Sequence, residues 1–396
     1  MRPGIAALVV AYVLSQFYRA FLAVLSPVLA VDIGATAENL ASASGLWFLA
    51  FALMQIPVGV ALDRVGPRLT AAGLLSIGGV GAAIFALATG PAAINVAMVL
   101  IGIGCAPVLM AAYYIFARSF SPAMFSTLAG VAIGIGSLGN IAASLPLSLA
   151  VEAIGWRGAM WGLSGLTFIT AAAIWTLVRD PEQVVHTSKG SLLDLLRMPV
   201  LWPILIMMAA CYAPAAGLRG LWVGPYMTDV FHADAERIGL VTLVMGLAMV
   251  AGNFAYGPLD RLLGSLKWLI FGGNVLAVAC LLGLYAYPAA PGITPIVLLA
   301  GVGFFGASFP MVMAHGRAFL PPHLVGRGVT LINFFGISVA GIMQIITGRL
   351  HHALTPTGAG LNSAPPSTPY AALFALYAVL LTAGLLVYLF SKDRAN

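Results

Sequence analysis

Twelve apolar runs of about twenty residues set the first limit on how this chain folds. They lie at 5–31, 41–62, 69–89, 93–117, 126–150, 158–178, 200–228, 238–259, 268–287, 294–316, 328–349 and 370–391. A helix rising about 1.5 Å per residue needs about 20 such residues to cross about 30 Å of hydrocarbon. Inside a bilayer each backbone polar group has to be bonded within the protein, so runs of this length are expected as helices. Composition closes the soluble alternative. The chain is 61% hydrophobic and 8% charged, against about 45–50% and about 25% in an average soluble protein. Its 18 Lys+Arg and 12 Asp+Glu cannot coat a globule of 396 residues. The first run is longer than a signal-peptide core and passes Ser26 without a small-residue cleavage pattern, which predicts a retained helix. The expected fold class is an all-α membrane protein of twelve transmembrane helices.

Orientation follows from the positive charges, which are retained on the cytoplasmic side. With the N-terminus inside, that side holds thirteen: Arg2, Arg64, Arg68, Arg118, Arg179, Lys189, Arg197, Arg261, Lys267, Arg317, Arg327, Lys392 and Arg394. The opposite side holds Arg157, Arg237 and Arg349, while Arg19 and Arg219 fall within apolar runs. Both termini are therefore expected in the cytoplasm, and composition fits a bacterial inner membrane. The basic balance needs no nucleic-acid partner. The lipid bilayer accounts for it.

The longest connections are 179–199, rich in charge, and 350–369, rich in Pro, Ser and Gly. The first divides the chain into an expected N-terminal bundle, 1–178, a cytoplasmic linker, 179–199, and a C-terminal bundle, 200–396. Residue correspondences show that the halves repeat. Tyr12 and Arg19 recur 200 residues on as Tyr212 and Arg219. Gly102, Gly104, Arg118, Phe120 and Pro122 recur after 199 as Gly301, Gly303, Arg317, Phe319 and Pro321. Asp63-Arg64 recurs after 197 as Asp260-Arg261. Internal repeats of this kind are common in secondary transporters, with substrate sites near the midplane at the repeat interface.

The segment from Gly59 through Asp63, Arg64 and Gly66 to Arg68 resembles the G-x-x-x-D-R-x-G-R-[RK] motif of the major facilitator superfamily, between the second and third helices. Pro67 stands where a basic residue is usual. A degraded copy, with Gly257, Asp260, Arg261 and Gly264, occupies the matching place in the second half. The resemblance implies two pseudo-symmetric six-helix bundles, alternating access and a monomer. It also implies that Gly59, Asp63, Arg64, Gly66, Arg68, Asp260 and Arg261 form a cytoplasmic gate. In physical terms, an Asp-Arg pair at a helix end offers a charge-assisted latch, and the glycines permit close approach and a tight turn.

Arg19 lies midway along the first run, where a charge costs at least about 2.5–3.5 kcal/mol unless it faces a polar cavity. Tyr12, Gln16, Arg19 and Ser26 share one helical face, and Tyr212, Arg219 and Tyr226 repeat the stripe in the seventh run, where Pro214 and Gly217 predict a break. The two stripes are expected to line one cavity. Tyr113, Tyr114, Gln55, Asn140, Asn253, Asn333 and Gln344 are candidates for neutral hydrogen bonds to the same substrate. All twelve acidic residues fall at run ends or in connections. The cavity is thus net positive, and a planar guanidinium fork suits carboxylate, phosphate or nitrate.

The expected function is transport of a small organic or inorganic anion, by uptake or anion exchange, with a proton or counter-anion as possible companion. His315 is the candidate proton relay, because imidazole titrates near neutral pH. Drug or metabolite efflux is the alternative, though a buried carboxylate would have favoured it. Metal-ion uptake is a lower alternative, prompted by Met245, Met249, Met311, Met313 and Cys211. No cofactor and no resident metal site are expected: there is no phosphate-binding G-x-x-x-x-G-K-[ST] loop, and the three cysteines and six histidines are scattered. No catalytic constellation is visible, so the chain is not expected to be an enzyme.

Overall fold

A computed structural model describes residues 2–181, 192–321, 324–355 and 365–393. The middle of the expected linker and the side chain of Arg261 lie outside the described residues. The chain separates into two compact units, Met1–His186 and Thr187–Asn396. Within the first unit the elements are α1 (Arg2–Phe17), α2 (Leu22–Ile33), α3 (Ala37–Arg64), α4 (Pro67–Ala86), α5 (Pro91–Cys105), α6 (Val108–Ser119), α7 (Pro122–Ala142) and α8 (Leu145–Leu177). The second unit contains α9 (Leu192–Leu196), α10 (Trp202–Gly217), a π-turn (Leu218–Trp222), α11 (Val223–Phe231), α12 (Ala235–Leu263), α13 (Leu266–Ala286), α14 (Thr294–Gly306), α15 (Phe309–Arg317), α16 (Val325–Leu354) and α17 (Thr368–Tyr388).

Ten spans among the described residues are long and apolar enough to cross a membrane, and α1 with α2 makes an eleventh, bent by 53°. The remaining run, 126–150, breaks at Ala143–Ser144, just before Pro146, whose missing N–H cannot continue the ladder. Its chain resumes as the first part of α8 and turns at Gly155, where φ is 72° and ψ 160°. That conformation is open to glycine and strained for other residues. Residues 156–177 then form the sixth helix of the unit.

Each unit packs by the same scheme. In the first, α4 lies against α5 and α8, α3 against α5, and α1 against α7 and α8. In the second, α13 lies against α14 and α17, α12 against α14, and α10 against α16 and α17. Glycine sets the closest of these contacts. A Cβ on Gly102 would stand 2.5 Å from the Trp47 carbonyl oxygen on α3, and one on Gly139 only 1.9 Å from that of Val13 on α1. Without a hydrophobic force between helices in lipid, such backbone contacts carry much of the association.

The fourth helix of each unit is broken at equivalent places, and a side chain from the second helix satisfies a carbonyl there. At the α5–α6 break, next to Pro107, Gln55 Nε2 donates to the oxygens of Ala106 and Phe51, both at 3.4 Å. At the α14–α15 break, before Pro310, Tyr256 Oη donates to the Phe305 oxygen at 2.7 Å. Met245 and Met249, which suggested metal handling, pack over Gly303 on α14. There they fill the gap that glycine leaves.

Candidate functional site

Arg19 stands at the bend of the first helix. Between α1 and α2 the ladder tightens, with Ala20 N–H bonded to the Phe17 oxygen at 3.0 Å. No Gly or Pro marks residues 17–21, so the sequence reading took 5–31 as one rod. Tyr18 is pulled toward α8, its hydroxyl 2.9 Å from Thr167 Oγ1. Arg19, half-buried, turns toward α3, where its guanidinium carbon lies 4.7 Å from the Phe51 ring centre and 5.4 Å from that of Trp47. Those two rings are themselves stacked, 5.2 Å apart. A cation over aromatic faces gains about 0.5–2 kcal/mol.

The rest of the first stripe lies on α1. The Tyr12 ring fits against Gly136 on α7, where a Cβ would approach it to 2.3 Å. Asn140 lies one turn along α7 on the same face, and α6, carrying Tyr113, also packs on α1. Gln16 is half-buried one turn from Arg19. Ser26 bonds to its own helix, at the Ala23 oxygen. Gln55 leaves this group, since its amide serves the helix break described above.

Arg219 occupies the π-turn of the seventh helix and is 5% exposed. Such turns displace side chains from the regular helical face and are frequent at functional sites. The sequence placed the break at Pro214 and Gly217, but α10 runs through Pro214 and departs from α-geometry only after Gly217. The guanidinium lies over Gly246 on α12, where a Cβ would stand 3.2 Å from Nε and 3.3 Å from Nη2. Gln344 on α16 is fully buried and donates to the Gly217 oxygen at 3.4 Å. The Tyr377 hydroxyl presses on the same glycine. Nothing in the sequence marked Gly246 or Tyr377 except their apolar surroundings.

Other candidates are placed differently. The Tyr212 ring packs at a tilt against Phe309, centroids 4.9 Å apart, two turns before Arg219. Tyr226 is buried among Phe231, Tyr370 and Phe374, with its hydroxyl on the Pro288 oxygen at 2.7 Å. That is an aromatic anchor for the end of the bundle, and its hydroxyl is already committed. Asn253 is exposed on the Gly246 face of α12 two turns away, and Asn333 is half-buried three turns from Gln344.

Tyr114 belongs to the motif at the end of α3. Arg118 lies 4.2 Å over its ring and reaches Asp63 with Nη2 at 3.7 Å from Oδ1. Gly66, at φ 99°, turns the chain into α4, and Asp180 accepts the Arg68 N–H at 2.8 Å, with Arg68 Nε 3.7 Å from its other oxygen. A carboxylate at a helix N-terminus satisfies an orphan donor and the positive end of the helix dipole. Asp393 repeats this in the second unit. It accepts from Ser265 Oγ and from the N–H of Lys267 at the start of α13, and Lys267 Nζ binds the oxygens of Leu389 and Ser391, each at 2.7 Å. Gly59 makes no close approach, since a Cβ there would meet nothing within 4 Å. Arg64 is exposed, and Asp260 is half-buried.

His315 is fully buried. Its Nε2 is 2.9 Å from the Lys392 oxygen, which only accepts, so Nε2 carries the proton. Nδ1 lies 2.6 Å from Tyr388 Oη. These two bonds tie α15 to α17 and the chain after it. Among the described residues no three His, Cys, Asp or Glu side chains gather to hold a metal ion.

Comparison with known proteins adds family and fold. The model of the Major Facilitator Superfamily matches residues 8–345. The chain is 23% identical over 360 residues to a probable L-galactonate transporter of Escherichia coli (strain K12), covering 85% of this chain and 74% of that one. It is 22% identical over 296 residues to a hexuronate transporter of Bacillus subtilis (strain 168), covering 70% of this chain and 69% of that one. Among solved structures it is similar to a D-xylose-proton symporter, with a TM-score of 0.78 over 98% of this chain and 97% of that one, at 13% identity. At that identity the likeness is one of fold.

Proposed function

The chain belongs to the major facilitator superfamily, and on that premise we propose that it carries a small organic anion, a carboxylate, across a bacterial inner membrane by alternating access. The observation that carries this reading is the placing of the two membrane arginines. Arg19 and Arg219 both sit where the first helix of their unit leaves regular α-geometry, one on an aromatic pair and the other over a glycine. Each presents a planar fork, and a carboxylate is the ligand that matches it in shape and charge. Two of the proteins named above are a probable L-galactonate transporter and a hexuronate transporter; galactonate and hexuronates bear a carboxylate at neutral pH, and this supports the same class here.

In this reading the bundles 1–178 and 200–396 are joined by the cytoplasmic linker 179–199, and both termini are cytoplasmic. Arg68–Asp180 and Asp63–Arg118 fasten the cytoplasmic end of the first unit. Substrate uptake, with a proton or a counter-anion moving alongside, is the direction proposed. Tyr12, Gln16, Tyr113, Asn140, Tyr212 and Gln344 contribute hydrogen bonds around the two arginines.

A thermal-shift screen of the purified protein tests it, using hexonates, hexuronates, aromatic carboxylates, phosphate, nitrate and cationic drugs. A ligand present at 100 times its Kd stabilises by about 2.7 kcal/mol. Stabilisation by carboxylates that vanishes in both Arg19→Ala and Arg219→Ala is the expected result. Stabilisation by cations alone, equal in the variants, would replace this reading with efflux.

A further inference from the structure

The two units are closed in unlike ways at the end away from their termini. In the first, Asp32 in the last turn of α2 accepts from Trp156 Nε1 at 2.7 Å and from Arg157 Nη1 at 3.4 Å. The Arg157 guanidinium also lies 4.1 Å over the Trp156 ring. In the second, Asp229, 197 residues on, accepts from the hydroxyl of Tyr370, which opens α17 as Trp156 opens the sixth helix. The permanent cation is not repeated, since Ala371 follows Tyr370 where Arg157 follows Trp156. In its stead the His351 ring reaches in from α16, 4.9 Å from Tyr370 and 5.2 Å from Trp222.

The hydrogen bonds of His351 fix where its lone pair points. Thr355 Oγ1 donates its single proton to the His351 carbonyl oxygen at 2.7 Å. Toward His351 Nδ1, 3.4 Å away, that oxygen can therefore only accept, so Nδ1 carries the ring proton. Nε2 is left as a bare acceptor. Among the described residues it meets no hydrogen-bond partner, in a side chain that is 7% exposed, and an unmet buried acceptor is costly. The rings beside it are fixed. Trp222 Nε1 donates to Thr347 Oγ1 at 3.0 Å, and Tyr370 gives its proton to Asp229 while its oxygen keeps lone pairs to accept. The ionisable groups turned toward His351 are Asp229 from α11 and Tyr370 from α17, with His352 next on its own helix.

We propose that His351 is a proton-binding site. Nε2 takes a proton from water at that end of the bundle, and the imidazolium is held between the Trp222 and Tyr370 rings in front of the Asp229 carboxylate. The bound proton does in the second unit what Arg157 does in the first, and ties α16 to α11 and α17. It thereby fixes the half of the seventh helix beyond the π-turn that carries Arg219. This goes beyond the anion reading and stands whichever solute is carried.

Tryptophan emission of the full-length protein in detergent, followed from about pH 8 to about pH 5, tests it without any substrate. Protonated histidine quenches an adjacent indole, so acidification should dim one of the seven tryptophans. The transition should vanish in His351→Asn and in Trp222→Phe, persist in His315→Asn, and move to lower pH in Asp229→Asn. Histidine-ring NMR gives a second readout that survives poor folding of any one variant. In the wild-type protein one Nε2 resonance, assigned by its loss in either His351→Asn or His351→Gln, should titrate across the same range. An Nε2 resonance that stays constant, or a quench unchanged in His351→Asn, overturns the proposal.

Discussion

At the scale of single residues, the two arginines illustrate how the same side chain is accommodated in two ways. Arg19 rests on Trp47 and Phe51, while Arg219 is enclosed over Gly246. Lysine keeps the charge of either but loses the fork, so Arg19→Lys and Arg219→Lys should each weaken carboxylate binding by at least about tenfold, measured by isothermal titration. Equal affinity in the lysine variants would mean that only net charge matters. Gly246→Ala adds a methyl 3.2 Å from Arg219 Nε. Because the guanidinium can shift, the expected outcome is a loss of affinity with a change in Tm of only a few degrees. An affinity unchanged by Gly246→Ala would remove Arg219 from the site.

At the scale of elements, what recurs between the units is a role filled by different residues. Gln55 and Tyr256 both cover a carbonyl at the break in the fourth helix. Gln55→Leu and Tyr256→Phe each leave a buried acceptor unmet, and each should lower stability by about 1–3 kcal/mol in thermal melts. If Gln55→Leu instead leaves stability intact and abolishes binding, Gln55 returns to the substrate. Asp180 and Asp393 cap α4 and α13 in the same fashion. Loss of a cap costs about 0.5–2 kcal/mol, so Asp180→Ala should lower Tm while Asp180→Asn, which retains an acceptor, should lower it less. Indistinguishable melts for the two variants would deny the capping role.

At the scale of the whole molecule, the expected topology is directly testable. Reporter fusions after Lys392 and within 182–191 should be active as cytoplasmic reporters, and fusions after Ala290 should be active only as periplasmic ones. A periplasmic signal at Lys392 would invert the proposed orientation.

The apolar runs, the charge asymmetry and the offsets of 197 to 200 residues made the spans, the repeat and the family legible from sequence, because lipid admits little besides helices of one length. Arg19 and Arg219 stood out for the same reason: a charge in an apolar run is costly wherever it sits. The sequence could not say which neighbours use up a polar side chain. Gln55, Tyr114 and Tyr226 read as ligands for a substrate until packing assigned them to a helix break, an ion pair and a loop carbonyl. The bend at Arg19 was not legible, since no glycine or proline lies there, while of the two residues that marked the break near Arg219 the helix runs through Pro214 and the π-turn opens directly after Gly217. Spans follow from local hydropathy, which is written residue by residue. The commitments of individual hydrogen bonds depend on side chains brought together from distant helices, and those only the tertiary structure decided.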